Sequence, residues 1–287
     1  MAFVLKTPRS PREAFSLARA SPDGAFAVLA GGTDLLLDID DRRISPSVVL
    51  SLRKMPWKQL VWAGDQLTIG STLPLRELEL DRRVRERSPG LWQSIRAVGS
   101  VALRHRATLG GNLGRASPAS DLIPILLALD ASVELVGPKG ERELPLAEFI
   151  QGPRQTALLS GELIRAVTIP EVGPSEYSWQ RVRPAGDISQ VGVAVTCAAR
   201  PPYWRLALGG VWPCPQRVPT AERILTSQRP SEVEIELAAQ EAAQVAPFIT
   251  DRRATEAYRR RLVTTLLRRA IGATVLQVRQ RKENPRS

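Results

Sequence analysis

The stretch from Thr108 to Ala131 reads TLGGNLGRASPASDLIPILLALDA, and the rest of the chain is best read outward from it. Three glycines, Gly110, Gly111 and Gly114, predict a tight loop whose backbone amides turn outward, because no Cβ restricts the turn or blocks an approaching group. Ser117-Pro118 has the form of a helix start, a capping hydroxyl followed by a proline. Leu122 to Leu129 is an uninterrupted apolar run, which requires a buried helix or strand. Outward-facing amides followed by a helix start make a site for an anion, through orphan N–H donors and the helix dipole.

A second glycine turn lies upstream in Ala30-Gly31-Gly32-Thr33-Asp34-Leu35. It follows the apolar Ala27, Val28 and Leu29 and precedes Leu35, Leu36 and Leu37. Two such turns brought face to face would suit two linked phosphates, so the pattern predicts a pyrophosphate cofactor held mostly by main chain. Neither turn is G-x-G-x-x-G and neither is followed by a Walker lysine, which argues against a Rossmann or P-loop nucleotide site.

At 287 residues the chain is long enough for one large or two medium domains. Its 43% hydrophobic and 24% charged content is that of a water-soluble globular protein. No segment approaches the roughly 20 apolar residues of a membrane span, and Met1 to Lys6 has no signal-peptide pattern, so a cytoplasmic protein is expected. Two cysteines, Cys197 and Cys214, and the single histidine, His105, are too few for an iron–sulfur cluster or a metal centre. The thiols are expected to be unlinked, and His105, in Arg104-His105-Arg106, to be a local packing residue. The net charge of +11 owes much to arginines near the end of the chain, among them Arg252, Arg253, Arg259 to Arg261, Arg268, Arg269, Arg279 and Arg281. A nucleic-acid surface is one reading of this charge. Aromatics at 5% and the lack of any nucleic-acid motif favour a solvated helix face or a dock for an acidic partner.

In chain order, Ser10-Pro11 starts a helix that runs toward Ser21-Pro22-Asp23-Gly24. Phe26 to Ala30 is a strand, Thr33 is placed to cap a helix from Asp34, and Val48 to Leu52 is a further strand, together a βαβ-like unit. Leu60 to Ala63 and Leu67 to Ile69 flank a hairpin turn at Gly64-Asp65. Leu73 to Leu78 is a turn and short helix, and Pro89 to Val98 a helix with Leu91, Ile95 and Val98 on one face. Ser132 to Val136 and Glu162 to Ile169 are strands. Val172 to Ser175 marks a boundary between residues 1–172, with lobes 1–53 and 54–172, and residues 173–287. The second part predicts a three-stranded antiparallel meander (Glu176 to Arg183, Gln190 to Ala199, Trp204 to Gly210). Two helices follow, Ser231 to Val245 and Thr255 to about Gln280.

The pair AGGTDL (Ala30 to Leu35) and TLGGNL (Thr108 to Leu113), followed by ASPASD (Ala116 to Asp121), resembles the FAD-binding medium subunits of molybdenum-containing hydroxylases. That group includes the xanthine dehydrogenases and aerobic carbon monoxide dehydrogenases. LALGGV (Leu206 to Val211), with Pro213 and Pro215, and DRRATEAYRRRL (Asp251 to Leu262) are similar to the same family's C-terminal part. The ordered set of motifs extends the resemblance over nearly the whole chain.

The resemblance implies an α+β fold: a two-part FAD-binding domain of the vanillyl-alcohol-oxidase (PCMH) type, then a smaller C-terminal domain of three-stranded antiparallel sheet and helices. It implies that Gly31, Gly32, Thr33, Asp34 and Leu35 cradle the FAD phosphates from one side and Thr108, Leu109, Gly110, Gly111 and Asn112 from the other. Asp121 is expected to contact the flavin nucleotide and Ile164 to lie by the isoalloxazine ring. Arg181 stands where the family often has lysine, near the same ring. Within the family, molybdopterin sits in a large partner subunit and [2Fe-2S] clusters in a small one. This chain is then expected to pass electrons through FAD to NAD, a quinone or oxygen, in a hetero-oligomer and with no catalytic side chain or metal of its own. A stand-alone flavin oxidoreductase of the same fold is the alternative within the class, and a basic nucleic-acid binder the alternative outside it.

Overall fold

The computed structural model describes residues 3–20, 26–181, 187–201, 203–211 and 213–283. The helix stop at Ser21 to Gly24 and the loop from Arg183 to Gly186 lie outside them. The first lobe contains β1 (Val4–Lys6), α1 (Pro11–Arg19), β2 (Phe26–Leu29), α2 (Leu35–Asp40) and β3 (Val48–Ser51). Its three strands are parallel in the order β1-β3-β2. The βαβ unit is therefore present, with β1 as an additional edge strand that only three residues encode. Ser10 caps α1 by accepting from the Glu13 amide at 3.2 Å, with Pro11 at the first position. Thr33 does not cap α2. That helix starts one residue later, with Asp34 at the cap position and no side-chain cap bond.

The second lobe begins with the hairpin β4 (Leu60–Ala63) and β5 (Gln66–Gly70), in register across Gly64-Asp65. A helical segment follows: α3 (Leu75–Leu80), α4 (Arg82–Arg87), α5 (Pro89–Ala97), α6 (Val101–Arg104), α7 (Leu109–Arg115) and α8 (Leu122–Ala128). Then come β6 (Ser132–Gly137), β7 (Gly140–Pro145), α9 (Leu146–Phe149), the short pair β8 (Ile150–Gly152) and β9 (Gln155–Thr156), and β10 (Leu163–Ile169). The main sheet is antiparallel in the order β4-β5-β10-β6-β7. Every residue of α8 is buried, as its apolar sequence demands, and its neighbours Leu91, Ile95, Leu113 and Leu135 belong to the same core.

Two expectations for the central stretch are corrected. Gly110, Gly111 and Gly114 are not in an open loop but inside α7, whose start is capped by Thr108, the side chain accepting from the Gly111 amide at 3.1 Å. Ser117-Pro118 is a turn rather than a helix start. Asp121 occupies the cap position of α8 without a side-chain cap bond, and the hydroxyl of Ser120 just before it does the capping, accepting from the amides of Leu122 and Ile123, each at 3.2 Å.

The last part holds β11 (Ser175–Gln180), β12 (Val191–Cys197), β13 (Trp204–Gly209), β14 (Gln216–Arg217), α10 (Pro219–Glu222), α11 (Glu232–Val245) and α12 (Glu256–Glu283). The expected three-stranded meander is a four-stranded antiparallel sheet, because β14 adds to β13 at Ala207 and Leu208. Strand β12 is buried along its whole length, so its sequence, VGVAVTC, is apolar on both faces rather than alternating. Ala194 and Ala207 join Tyr177 in the core of the second lobe, whereas Val191, Val193, Val195, Leu206 and Leu208 face α11 and α12. The small residues on the first face let α8 approach closely, and the sheet thus joins the two cores. Among the described residues no helix is long and apolar enough to cross a membrane.

Candidate functional site

The glycine turn after β2 meets the glycine-bearing start of α7 at one seam; the bend at Thr108 into that helix is the second of the two turns. Strand β2 ends at Leu29 and the chain turns through Gly32, whose φ of +81° is in the left-handed region that glycine tolerates. Beside it, a Cβ on Gly31 would lie 2.1 Å from the Arg106 carbonyl oxygen. Only a hydrogen fits there. A Cβ on Gly111 would lie 3.6 Å from that of Ala30, so the second turn packs directly on the first. The approach continues on the far side of α7, where a Cβ on Gly110 would come within 2.6 Å of the Ser71 Cβ. The amide of Gly110 donates to the Ser71 carbonyl at 3.1 Å.

Hydrogen-bond capacity is divided unequally between the turns. Among the described residues, the backbone N–H groups of Gly31, Gly32, Thr33, Asp34 and Leu35 donate to no oxygen of the chain. These residues are half-buried or, at Asp34, exposed, so an incoming acceptor can reach them. In the second turn the amides of Gly110, Gly111 and Asn112 are already engaged, by Ser71, the Thr108 hydroxyl and the Thr108 carbonyl. Its glycines serve close approach, and the donors come from the first turn. Five consecutive free amides beside a surface stripped of side chains fit an anionic phosphoryl group. Nearby, the buried hydroxyls of Ser71 and Thr72 also lack a partner, as a buried donor rarely does unless a ligand or water completes it.

The remaining predicted residues lie on α7, before α8, on β10 and after β11. Asn112 accepts a 2.6 Å hydrogen bond from Ser120, which ties α7 to the start of α8. Leu109 is wholly buried in the core, so its side chain faces away from any ligand. Ile164 lies in β10 beneath α7, its tip 3.8 Å from where a Cβ on Gly114 would stand. Asp121 and Arg181 face each other: the guanidinium donates to Asp121 Oδ2 at 2.9 Å and also to the Ala97 carbonyl. Tyr177 and Ser189 donate to Asp121 Oδ1 at 2.8 and 2.6 Å.

This cluster is deeply buried. Tyr177 is 1% exposed, and a Cβ on Gly192 would lie 2.4 Å from its hydroxyl, so the glycine in β12 makes room for it. Burial pushes the Asp121 carboxyl above its usual range, opposed by the hydrogen bond from Ser189, the charge of Arg181 and the Tyr177 hydroxyl. Burial and the facing carboxylate raise the Tyr177 phenol well above its ordinary value. The sequence pointed to Asp121 and Arg181 but not to Tyr177 or Ser189. Both lie in the C-terminal part and reach the second lobe only through the fold.

Further from the seam, Cys197 and Cys214 are unlinked. Burial raises the Cys197 thiol to about 12, which leaves it unreactive near neutral pH. Among the described residues no group of three acidic, histidine or cysteine side chains is placed to hold a metal ion.

Comparison with known proteins gives the site its context. Residues 1–172 match the family described as FAD binding domain in molybdopterin dehydrogenase, and residues 177–274 the CO dehydrogenase flavoprotein C-terminal domain. The nicotine 6-hydroxylase medium subunit of Paenarthrobacter nicotinovorans is 31% identical over 270 residues, 92% of this chain and 94% of its own. Caffeine dehydrogenase subunit beta of Pseudomonas sp. (strain CBB1) is 33% identical over 233 residues, 78% of each chain. A chain of the solved carbon monoxide dehydrogenase of Hydrogenophaga pseudoflava, in a form lacking the Mo-pyranopterin moiety, has the same fold: TM-score 0.88 at 24% identity, over 96% of this chain and 98% of that one. This chain belongs to the family of FAD-binding medium subunits of the molybdenum hydroxylases.

Proposed function

We propose that the chain is the FAD-carrying electron-transfer subunit of a molybdenum-containing hydroxylase or dehydrogenase. It takes electrons from iron–sulfur clusters in a small partner subunit, downstream of molybdopterin in a large one, and delivers them to NAD or another acceptor. The observation that carries this reading is the row of five amides without an acceptor, from Gly31 to Leu35, set against a second glycine turn. In this reading those amides hold the pyrophosphate, and Thr108 to Asn112 close the other side through main-chain approach. Asp121, Arg181 and Ile164 line the flavin end. Residues 1–172, in lobes 1–53 and 54–172, form the cofactor domain, and residues 173–287 pack against it.

FAD, when bound, supplies the redox chemistry, and the protein supplies binding, orientation and exclusion of water. No side chain of this chain acts as a general acid or base in that scheme. The Asp121 carboxylate, with its three donors, orients rather than transfers a proton. That the relatives are a medium subunit and a subunit beta supports a place within a multi-subunit enzyme.

The test is electron transfer between purified components. The full chain should carry tightly bound FAD and lose its oxidised-flavin absorbance when mixed with the chemically reduced iron–sulfur subunit of its complex. It should not be bleached by the organic substrate alone. Bleaching by an organic substrate without partners would mark a stand-alone flavin oxidoreductase instead.

A further inference from the structure

The helix that follows the free amides is anchored in an unusual way. Strand β2 leads into the turn, the turn leads into α2, and the only buried residue of α2 is Asp38. Two of its three leucines do not hold it down: Leu36 and Leu37 are 43% and 61% exposed. A helix of six residues whose apolar contacts are only the half-buried Leu35 and Ile39 has little to keep it in place. What it has is charge. Arg115, the last residue of α7, reaches across to Asp38 with both terminal nitrogens, one of them 3.2 Å from Oδ1. Its Nε lies 3.5 Å from Asp34. Arg43 completes the set, 3.1 Å from Asp38 Oδ1.

We propose that Arg115 is a positioning residue for the dinucleotide, a strut between the two glycine turns that holds α2 and its five free amides in place. It has a second effect on the same site. Asp34 and Asp38 stand on the element that begins with the free amides, and two unpaired carboxylates there would repel a pyrophosphate dianion. The guanidinium of Arg115 neutralises that repulsion while it fixes the geometry. Positioning errors of about 1 Å can cost on the order of a hundredfold in a precisely built site, so a displaced α2 should register in affinity. This inference rests on the reading that the two turns hold FAD.

The experiment is titration of the full chain, freed of flavin, with FAD, followed by flavin fluorescence, alongside thermal unfolding without FAD. Arg115→Met and Asp38→Asn should each weaken FAD binding about tenfold or more, Arg115→Lys should recover part of the loss, and the double variant should be little worse than the poorer single one. Arg217→Met provides the contrast. It breaks a similarly half-buried pair with Glu222, far along the chain, and should lower the unfolding midpoint without changing the FAD affinity. Should Arg115→Met fail to fold, the near-isosteric Asp38→Asn carries the test. Wild-type affinity in folded Arg115→Met or Asp38→Asn, or an equal loss in Arg217→Met, overturns the strut while leaving the functional reading in place. A wild-type chain that takes up no FAD overturns both.

Discussion

A methyl group on Gly31 would overlap the Arg106 carbonyl, whereas one on Gly272, in the middle of α12, would meet nothing within 4 Å. The two glycines therefore make opposite predictions. Gly31→Ala should lose stability, by about 1–3 kcal/mol for an overpacked contact with rigid backbone. It should also lose FAD affinity, since the seam must open to admit the methyl. Gly272→Ala should gain up to about 1 kcal/mol, because alanine is the better helix former and nothing obstructs it. Urea denaturation of the two variants beside wild type measures both. At this scale the sequence was legible where a residue type carries its own requirement: paired glycines mark close approach and turns. It was silent where a role depends on a neighbour. Arg115 reads as one arginine among many until α2 is placed opposite it, and Ser71 is an ordinary strand-end serine until Gly110 packs on it.

Helix α8 shows what an element draws from its surroundings. Its seven residues are all buried, so its start must find hydrogen-bond acceptors inside the protein. One hydroxyl provides them: Ser120 accepts from Leu122 and Ile123 and donates to Asn112. Ser120→Ala removes the acceptor and frees Asn112, so it should cost about 1–2 kcal/mol in thermal or chemical unfolding. A cost near zero would show that water replaces the cap. The amphipathic or strongly apolar elements were readable, including the hairpin at Gly64-Asp65, the helix from Pro11, α8 and the two long C-terminal helices. Misreadings fell where local propensity and tertiary contact disagree. Glycine is a poor helix residue, so Gly110 to Gly114 read as a loop; the helix there packs so closely on Ser71 that Gly110 has no room for a side chain. Strand β14 is two residues long and owes its existence to β13 alone.

For the whole molecule, the two larger cores are joined through one sheet, a small third cluster (Ala14, Leu52, Met55, Trp57, Val136 and Leu163) ties the first lobe to β6 and β10, and the glycine seam lies by the larger core. Small residues of β12 and β13 face α8, and the valines and leucines on the other face meet α11 and α12. The ion pair between Asp121 and Arg181 spans the same junction, with Tyr177 and Ser189 completing it. Tyr177, Arg181 and Ser189 of the C-terminal part therefore reach Asp121 at the start of α8. In the proposed function the amides from Gly31 to Leu35, opposed by the glycine-bearing start of α7, grip the twin phosphates of a flavin dinucleotide. The most direct measurement is equilibrium binding of FAD and of riboflavin, which lacks both phosphates, to the flavin-free chain and to a Gly32→Val variant. Wild type should bind FAD at least about a hundredfold more tightly than riboflavin, since several charge-assisted hydrogen bonds are at stake. The variant, while still folded, should lose most of that preference; equal affinity of the wild-type chain for the two ligands would contradict a phosphate grip at this seam.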